Sequence, residues 1–345
     1  MLYIPAKAPV DLYSPEMKRG VQLYVKRVFV MDECRELLPS HLRFIKGVVD
    51  AHDLSLNVSR EILQQDRQIA LIRKQLVKKV LATLDEMQRD NAEQYATFWT
   101  EFGPVLKEGL ANWDTQDKEK LMDLVVAPST TQARTSLTEY VGRMKPDQDA
   151  IYYLVGSAKD SVAKSPLLEA FVAKGIEVLL FSDQVDEFWL ERAPTYRDKA
   201  MKSIARGDID LGTKASSDDE ARFKDLLDAL RVYLDSEVKE VRLSQRLATS
   251  AAVLVSDEHD MTPRMQRMME QLGQSPPLSK RILELNPTHP LIAKLQAIYT
   301  ESKTDPRIEQ IGKLLLGQAH LAESGAIPDL GAFSQALTDV MLRAT

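Results

Sequence analysis

Arg60 and Gln64 are four residues apart, and on a helix that spacing stacks a guanidinium and an amide on one face, one turn above the other. Just ahead of them, Asn57 and Ser59 carry side-chain oxygens that accept from the free N–H groups of a first helical turn, so a helix is expected to begin near Arg60. A cation and an amide beside a helix N-terminus, followed by few acids, can hold an anion, most directly a phosphate. An arginine in such a place is ordinarily a plain surface residue, so the pair gains weight only from its surroundings.

Those surroundings read as an α/β layer. Leu2-Tyr3-Ile4 form a short strand stopped by Pro5 and Pro9, Val21 to about Met31 a second strand, and Ile45 to Val49 a third. From Arg67 to about Asn91, Ile69, Ile72, Leu76, Val80, Leu84 and Met87 recur at three- and four-residue steps, which predicts one long amphipathic helix. Helical segments around Tyr95–Lys107 and Asp117–Val126 follow, with Gly103-Pro104 and Ala127-Pro128 as expected breaks, and Phe98, Trp99 and Phe102 as packing residues. At Ala150 the pattern changes to strand (Ile151–Val155), helix (Pro166–Lys174, closed by Gly175) and strand (Ile176–Phe181), a parallel unit. Gly156-Ser157-Ala158-Lys159-Asp160 lacks the glycine spacing of a dinucleotide loop. Residues 206–220, rich in Gly, Ser and acids, read as a linker, followed by a helix over Phe223–Tyr233 and strands over Val238–Leu243 and Ala251–Ser256.

Three further clusters could do work. In Asp183-Gln184-Val185-Asp186-Glu187-Phe188-Trp189-Leu190-Glu191, large aromatics sit between acids; packing into the core is the ordinary reading, and which ring faces solvent stays open. Met261, Met265, Met268 and Leu272 fall at steps of four, three and four on a helix capped by Thr262, with Met269 beside them and Arg264, Arg267 and Gln271 facing elsewhere. Such a stripe either packs into its own domain or, because methionine is flexible and polarisable, adapts to varied partners. At the C-terminus Ile308, Ile311, Leu314, Leu315, Ala319 and Ala322 form one apolar face, and Leu330, Phe333, Leu337, Val340 and Met341 another, with Thr288 capping the helix that precedes them. Two helices with stripes this wide are expected to pair with the same helices of a second copy in a four-helix bundle.

Composition closes other routes. With 45 basic against 51 acidic residues the net charge is -6, which disfavours nucleic acid as a partner. The five histidines, His41, His52, His259, His289 and His320, have no partners at metal-ligand spacing, so no metal is expected. The single Cys34 cannot form an internal disulfide, and with no secretory leader at Met1–Pro5 the cytoplasm is the expected compartment. No apolar run approaches the ~20 residues of a membrane-spanning helix. A hydrolase lacks support, there being no phosphate loop, serine elbow or paired carboxylates.

Leu42-Arg43-Phe44-Ile45-Lys46-Gly47-Val48-Val49-Asp50 followed by Leu54 through Gln65 closely resembles the middle domain of the ninety-kilodalton heat-shock chaperone family, in its bacterial form. The likeness continues through Ile151-Tyr152-Tyr153, Gly175–Leu180 and Glu284–Leu291. It implies a mixed α/β fold: a truncated larger α/β part of the middle domain (1–65), its helical section (66–147), its small α/β part (148–205), a linker (206–220) and a C-terminal α/β domain ending in a helical dimerisation pair (221–345). It also implies an ATP-binding domain upstream, so the chain is expected to be a fragment whose Met1 is not the native start. Arg60 and Gln64, with Asn57 in the supporting loop, would contact the ATP phosphate of that domain, Mg2+ accompanying the nucleotide; the chain alone is expected not to hydrolyse ATP. The resemblance assigns client binding to Glu187 and an aromatic beside it, Phe188 or Trp189, and to the methionine helix. It implies a homodimer, a stress-response chaperone role for unfolded or partly folded proteins, and, lacking an acidic tail after Thr345, no helical-repeat co-chaperone. A structural dimerisation or scaffold module without client binding is the alternative.

Overall fold

The structure, a computed structural model, describes residues 1–14, 21–52, 54, 67–156, 159–209, 211, 217–271, 273–274 and 279–344. It is mixed α/β and divides into two compact units, the first made of Met1–Val126, Thr135–Glu139 and Asp183–Asp198, the second of the rest.

In the first unit β1 (Leu2–Tyr3), β2 (Val21–Val25), β3 (Val28–Met31) and β4 (Lys46–Ala51) form a sheet in the order β1-β4-β2-β3. β2 and β4 run parallel, Leu23 facing Val49, and β1 closes antiparallel on β4. The single strand expected over 21–31 is instead a hairpin, because Lys26 and Arg27 take left-handed conformations (φ 51° and 68°) that reverse the chain. Gly47 is forced by a close approach: at φ 132° a Cβ there would stand 2.2 Å from the Met1 carbonyl oxygen.

Helix α1 (Arg67–Asp90) is continuous, as its periodicity predicts, and is followed by α2 (Ala92–Ala111), capped by Asn91, whose side chain accepts from the Gln94 N–H. The break expected at Gly103-Pro104 does not occur. Pro104 removes one helical hydrogen bond, but Phe102, Val105 and Leu106 are buried around it, and that burial outweighs the lost bond. Phe44 stacks on Phe102 (4.9 Å between centroids) and meets Phe98 edge-on (5.5 Å), joining α2 to the chain before β4. Helices α3 (Lys118–Asp123) and α4 (Asp186–Arg192) belong to the same unit.

In the second unit β5 (Ala150–Val155) runs parallel to β6 (Leu179–Phe181) on one side and β7 (Lys199–Ser203) on the other. Gly175 closes the intervening helix at φ 61°, as expected, but β6 begins three residues later than the pattern suggested. After helix α5 (Ser217–Tyr233), β8 (Val238–Leu243) and β9 (Ala252–Val255) flank a central strand, β10 (Arg281–Leu285), that the sequence pattern did not reveal. β10 is parallel to β8 and antiparallel to β9.

Between β9 and β10 lies α6 (Pro263–Gln271); α7 (Pro290–Glu301), α8 (Pro306–Ser324) and α9 (Leu330–Ala344) end the chain. The cap of α7 is His289, whose Nδ1 accepts from the Leu291 N–H at 3.1 Å, and not Thr288, whose hydroxyl turns to Asn286. Leu226, Leu230, Leu254, Leu283, Ile292, Ile308 and Leu315 share one core.

Candidate functional site

Asn57, Arg60 and Gln64 lie outside the described residues, as does Leu272. The other expected site residues fall in three places.

The first is α4. Its foundation is a buried charge cluster: Lys107, inside α2, donates from Nζ to Asp186 Oδ1 at 2.5 Å and to Asp183 Oδ2 at 2.7 Å. Asp186 is fully buried and its Oδ1 also accepts from Trp189 Nε1 at 2.8 Å, while its Oδ2 accepts from the Asp183 N–H at 2.8 Å. Burying such charges is tolerable only with partners of this kind. The cluster settles the orientation of the aromatics: Trp189 is 0 % exposed and Phe188 40 % exposed, with Glu187 buried. One turn beyond Phe188, the Arg192 guanidinium lies 3.7 Å from the centroid of the exposed Trp113 ring. Sequence reasoning missed Lys107 and Trp113, since nothing local marks either one.

The second is α6. Thr262 Oγ1 accepts from the Met265 N–H at 3.1 Å, the expected cap. Met261, Met265, Met268 and Met269 are all half-buried, so the stripe is neither core nor fully open surface. Arg264 points away from it to the carbonyls of Gly156 and Ser182.

The third is the C-terminal pair. Ile308 and Leu315 are fully buried in the core of their own unit, Ile311 and Leu314 half-buried. Phe333 packs on Gly317 so closely that a Cβ there would come within 2.3 Å of its ring, and Val340 is half-buried. Leu330, Leu337 and Met341 remain exposed on α9, with Leu342 beside them.

A polar centre that the sequence did not announce surrounds Glu284 on β10. Arg246 and Glu284 are both buried and directly paired; Arg242 Nη2 and the Ser244 hydroxyl also donate to Glu284, each at 2.8 Å. Burial holds the Arg246 guanidinium below its usual pKa although Glu284 pulls the other way. A cleft of about 470 Å³ opens beside it, lined by Asp208, Glu220, Lys224, Arg242 and Gln245 among others. Its charges are of both signs, which fits an internal brace better than an ion site.

Nearby, the Glu169 carboxylate accepts from the backbone N–H groups of Ala248, Thr249 and Ser250 and from the Ser250 hydroxyl. Burial works to raise its pKa, but those donors prevail and hold it at about 2.

Burial, and then the Glu36 carboxylate, push the Cys34 thiol up to about 12, so it is an inert core residue. Among the described residues, no group of three or more His, Cys, Asp and Glu side chains could hold a metal ion, and no helix is long and apolar enough to cross a membrane.

The family profile described as Hsp90 protein matches residues 1–345. Chaperone protein HtpG of Salinispora tropica is 48% identical over 353 residues, covering 99% of this chain and 55% of the relative. HtpG of Nocardia farcinica is 50% identical over 99% of the chain and 55% of its own length, and HtpG of Streptomyces coelicolor 47% identical at the same coverages. The chain thus spans about half the length of the curated relatives it matches. With α4, the methionine helix and the C-terminal helices all inside the matched span, the chain belongs to the Hsp90 family.

Proposed function

We propose that this chain is the client-holding and dimer-forming portion of an HtpG-like chaperone. The observation that carries the reading is the half-burial of Met261, Met265, Met268 and Met269 on α6: a helix face of adaptable side chains is available without being core. Phe188 supplies a second apolar contact above buried Glu187, and Trp189 acts beneath it as support. Each methionine covered by a client contributes ~1.5–3 kcal/mol at full burial and less on a wet surface, a scale suited to transient holding.

The exposed Leu330, Leu337 and Met341 of α9 support a homodimer through the last helices. Ile308 and Leu315, being core, act in it only by shaping α8. In the intact protein Arg60, assisted by Gln64 and the loop at Asn57, would place positive charge beside the phosphate of Mg2+-bound ATP in a preceding domain. This part rests on the sequence motif and on membership of the family, as does a cytoplasmic location. A scaffold without client binding needs a buried methionine stripe, and half-burial speaks against it.

The test is a titration of the purified chain against a labelled, permanently unfolded protein, beside a Met265→Glu/Met268→Glu variant with fold and dimer verified. Binding by the parent, weakened at least about tenfold (~1.4 kcal/mol) in the variant, is expected. Equal binding by both would remove the methionine face from the account.

A further inference from the structure

β9 and β10 are neighbouring antiparallel strands, Val255 facing Ile282, a pairing that a two-residue turn could close. Instead residues 256–280 intervene in the sequence, with α6 among them. Caps close α6 at both ends, Thr262 at the start and left-handed Gly273 (φ 76°) with Gln274 N–H on the Met269 carbonyl at the finish, but caps alone do not hold so short a helix. It has 9 residues, and isolated helices below about 12–15 residues are marginal in water. Its charges oppose its dipole as well: the first turn holds Arg264 and no acid, and the last turn holds no base. None of its described side chains is fully buried.

The entry to this segment is held by Lys239, which pairs with Asp257 and Asp260, and by Ser256, whose backbone bonds to Ala205 and Gly207; on α6 itself the polar fastening to the strand ends is Arg264. Its Nη1 donates to the Gly156 carbonyl at 2.6 Å and its Nη2 to the Ser182 carbonyl at 3.1 Å. Those carbonyls stand immediately beyond the ends of β5 and β6, two parallel neighbours, so one planar fork spans both strand ends. The acceptor backbone is itself constrained, since a Cβ on Gly156 would lie 2.3 Å from Val162 Cγ2. A cation in a first helical turn is locally unfavourable, and its remote contacts supply the reason for its position.

We infer that Arg264 is a latch: its fork holds α6 against the ends of β5 and β6, and its release frees α6 and exposes the remaining, covered part of the half-buried Met265, Met268 and Met269. Arg264 is thereby a positioning residue for the client surface; the latch stands on the geometry, and its functional meaning rests on the proposed client reading. Release couples to fraying of the helix, because a nine-residue segment carrying these charges is marginal once undocked, even with both caps in place.

The experiment compares the parent with Arg264→Gln and Arg264→Lys. Peptide mass spectrometry reads amide exchange over 262–271 and peroxide oxidation of the three methionines, with the amides of β5 and β10 as the fold control. The Gln variant is expected to raise both rates about tenfold, the scale of a lost charge-assisted hydrogen bond, with the control unchanged. The Lys variant should fall between, because a point charge reaches one carbonyl and not both. Rates equal to the parent in the Gln variant would overturn the latch, as would equally faster exchange in β5 and β10, which would make Arg264 a general structural residue. Binding of a labelled unfolded protein separates the two claims. If oxidation rises and binding does not, the latch stands and the client reading falls; if binding changes at parental oxidation rates, the latch falls.

Discussion

Helices α4 and α6 both present large apolar side chains from a short helix, yet they are held in opposite ways. α4 is nailed down from inside its unit by Lys107, Asp186 and Trp189, all buried, so Phe188 projects from a fixed base. α6 has no fully buried described side chain; it rests on half-buried methionines, on its caps and on one arginine reaching two backbone carbonyls. The difference teaches that an apolar pattern alone does not define a binding surface. What lies beneath decides whether the surface is a rigid anchor or an adaptable one.

The contrast breaks most visibly at Lys107. Lys107→Met leaves Asp186 buried without its cation and should cost about 3–5 kcal/mol in chemical denaturation of the unit that contains it. The same experiment on Met265→Glu/Met268→Glu should read below about 1 kcal/mol, the scale of changes on a partly exposed surface. Equal losses would erase the distinction.

Within α4, Trp189→Ala should cost about 3–5 kcal/mol by opening a cavity, while Phe188→Ala should cost below about 1 kcal/mol and act on unfolded-protein binding. The reverse ordering would mean the aromatics exchange places in solution.

A smaller effect sharpens the picture of the scaffold from which the α6 segment departs. Glu169 binds the loop before β9, and its folded pKa of about 2 is depressed from 4.5. The stability it contributes is therefore fully present above pH 4.5 and lost as pH falls toward 2. Glu169→Gln should lower stability by about 1 kcal/mol at neutral pH, allowing for screening of a half-exposed carboxylate, and the deficit should vanish by pH 2. A deficit that persists at low pH would assign the effect to packing.

Much of the fold was legible because it is written in local periodicity. The α1 stripe from Ile69 to Met87 and the helix of Phe223–Tyr233 need only the 3.6-residue period, and both are helical. What escaped depends on partners distant in sequence. β10 is a short apolar run, Ile282-Leu283-Glu284-Leu285, interrupted by a charge whose partners Arg242 and Arg246 lie some forty residues earlier, so its pattern does not announce a strand.

The turn at Lys26-Arg27 escaped because neither residue is a usual left-handed one. Thr288 looked the better cap than His289 by residue type, and the Asn286 side chain took its hydroxyl instead. At the candidate sites, residue types marked α4 and α6, but Phe188 and Trp189 could be told apart only through Lys107, which stands 79 positions before Asp186. The Arg60 motif was legible in the sequence alone, and its geometry lies outside the described residues.

The central claim is that α4 and α6 both meet unfolded polypeptide, one as a fixed contact and the other as an adaptable one. Hydroxyl-radical footprinting of the chain, with and without a permanently unfolded protein, tests it most directly. The account predicts protection of Met265, Met268 and Phe188, with Trp189 unreactive in both states. Unchanged labelling of the methionines and of Phe188 at saturating unfolded protein would contradict it.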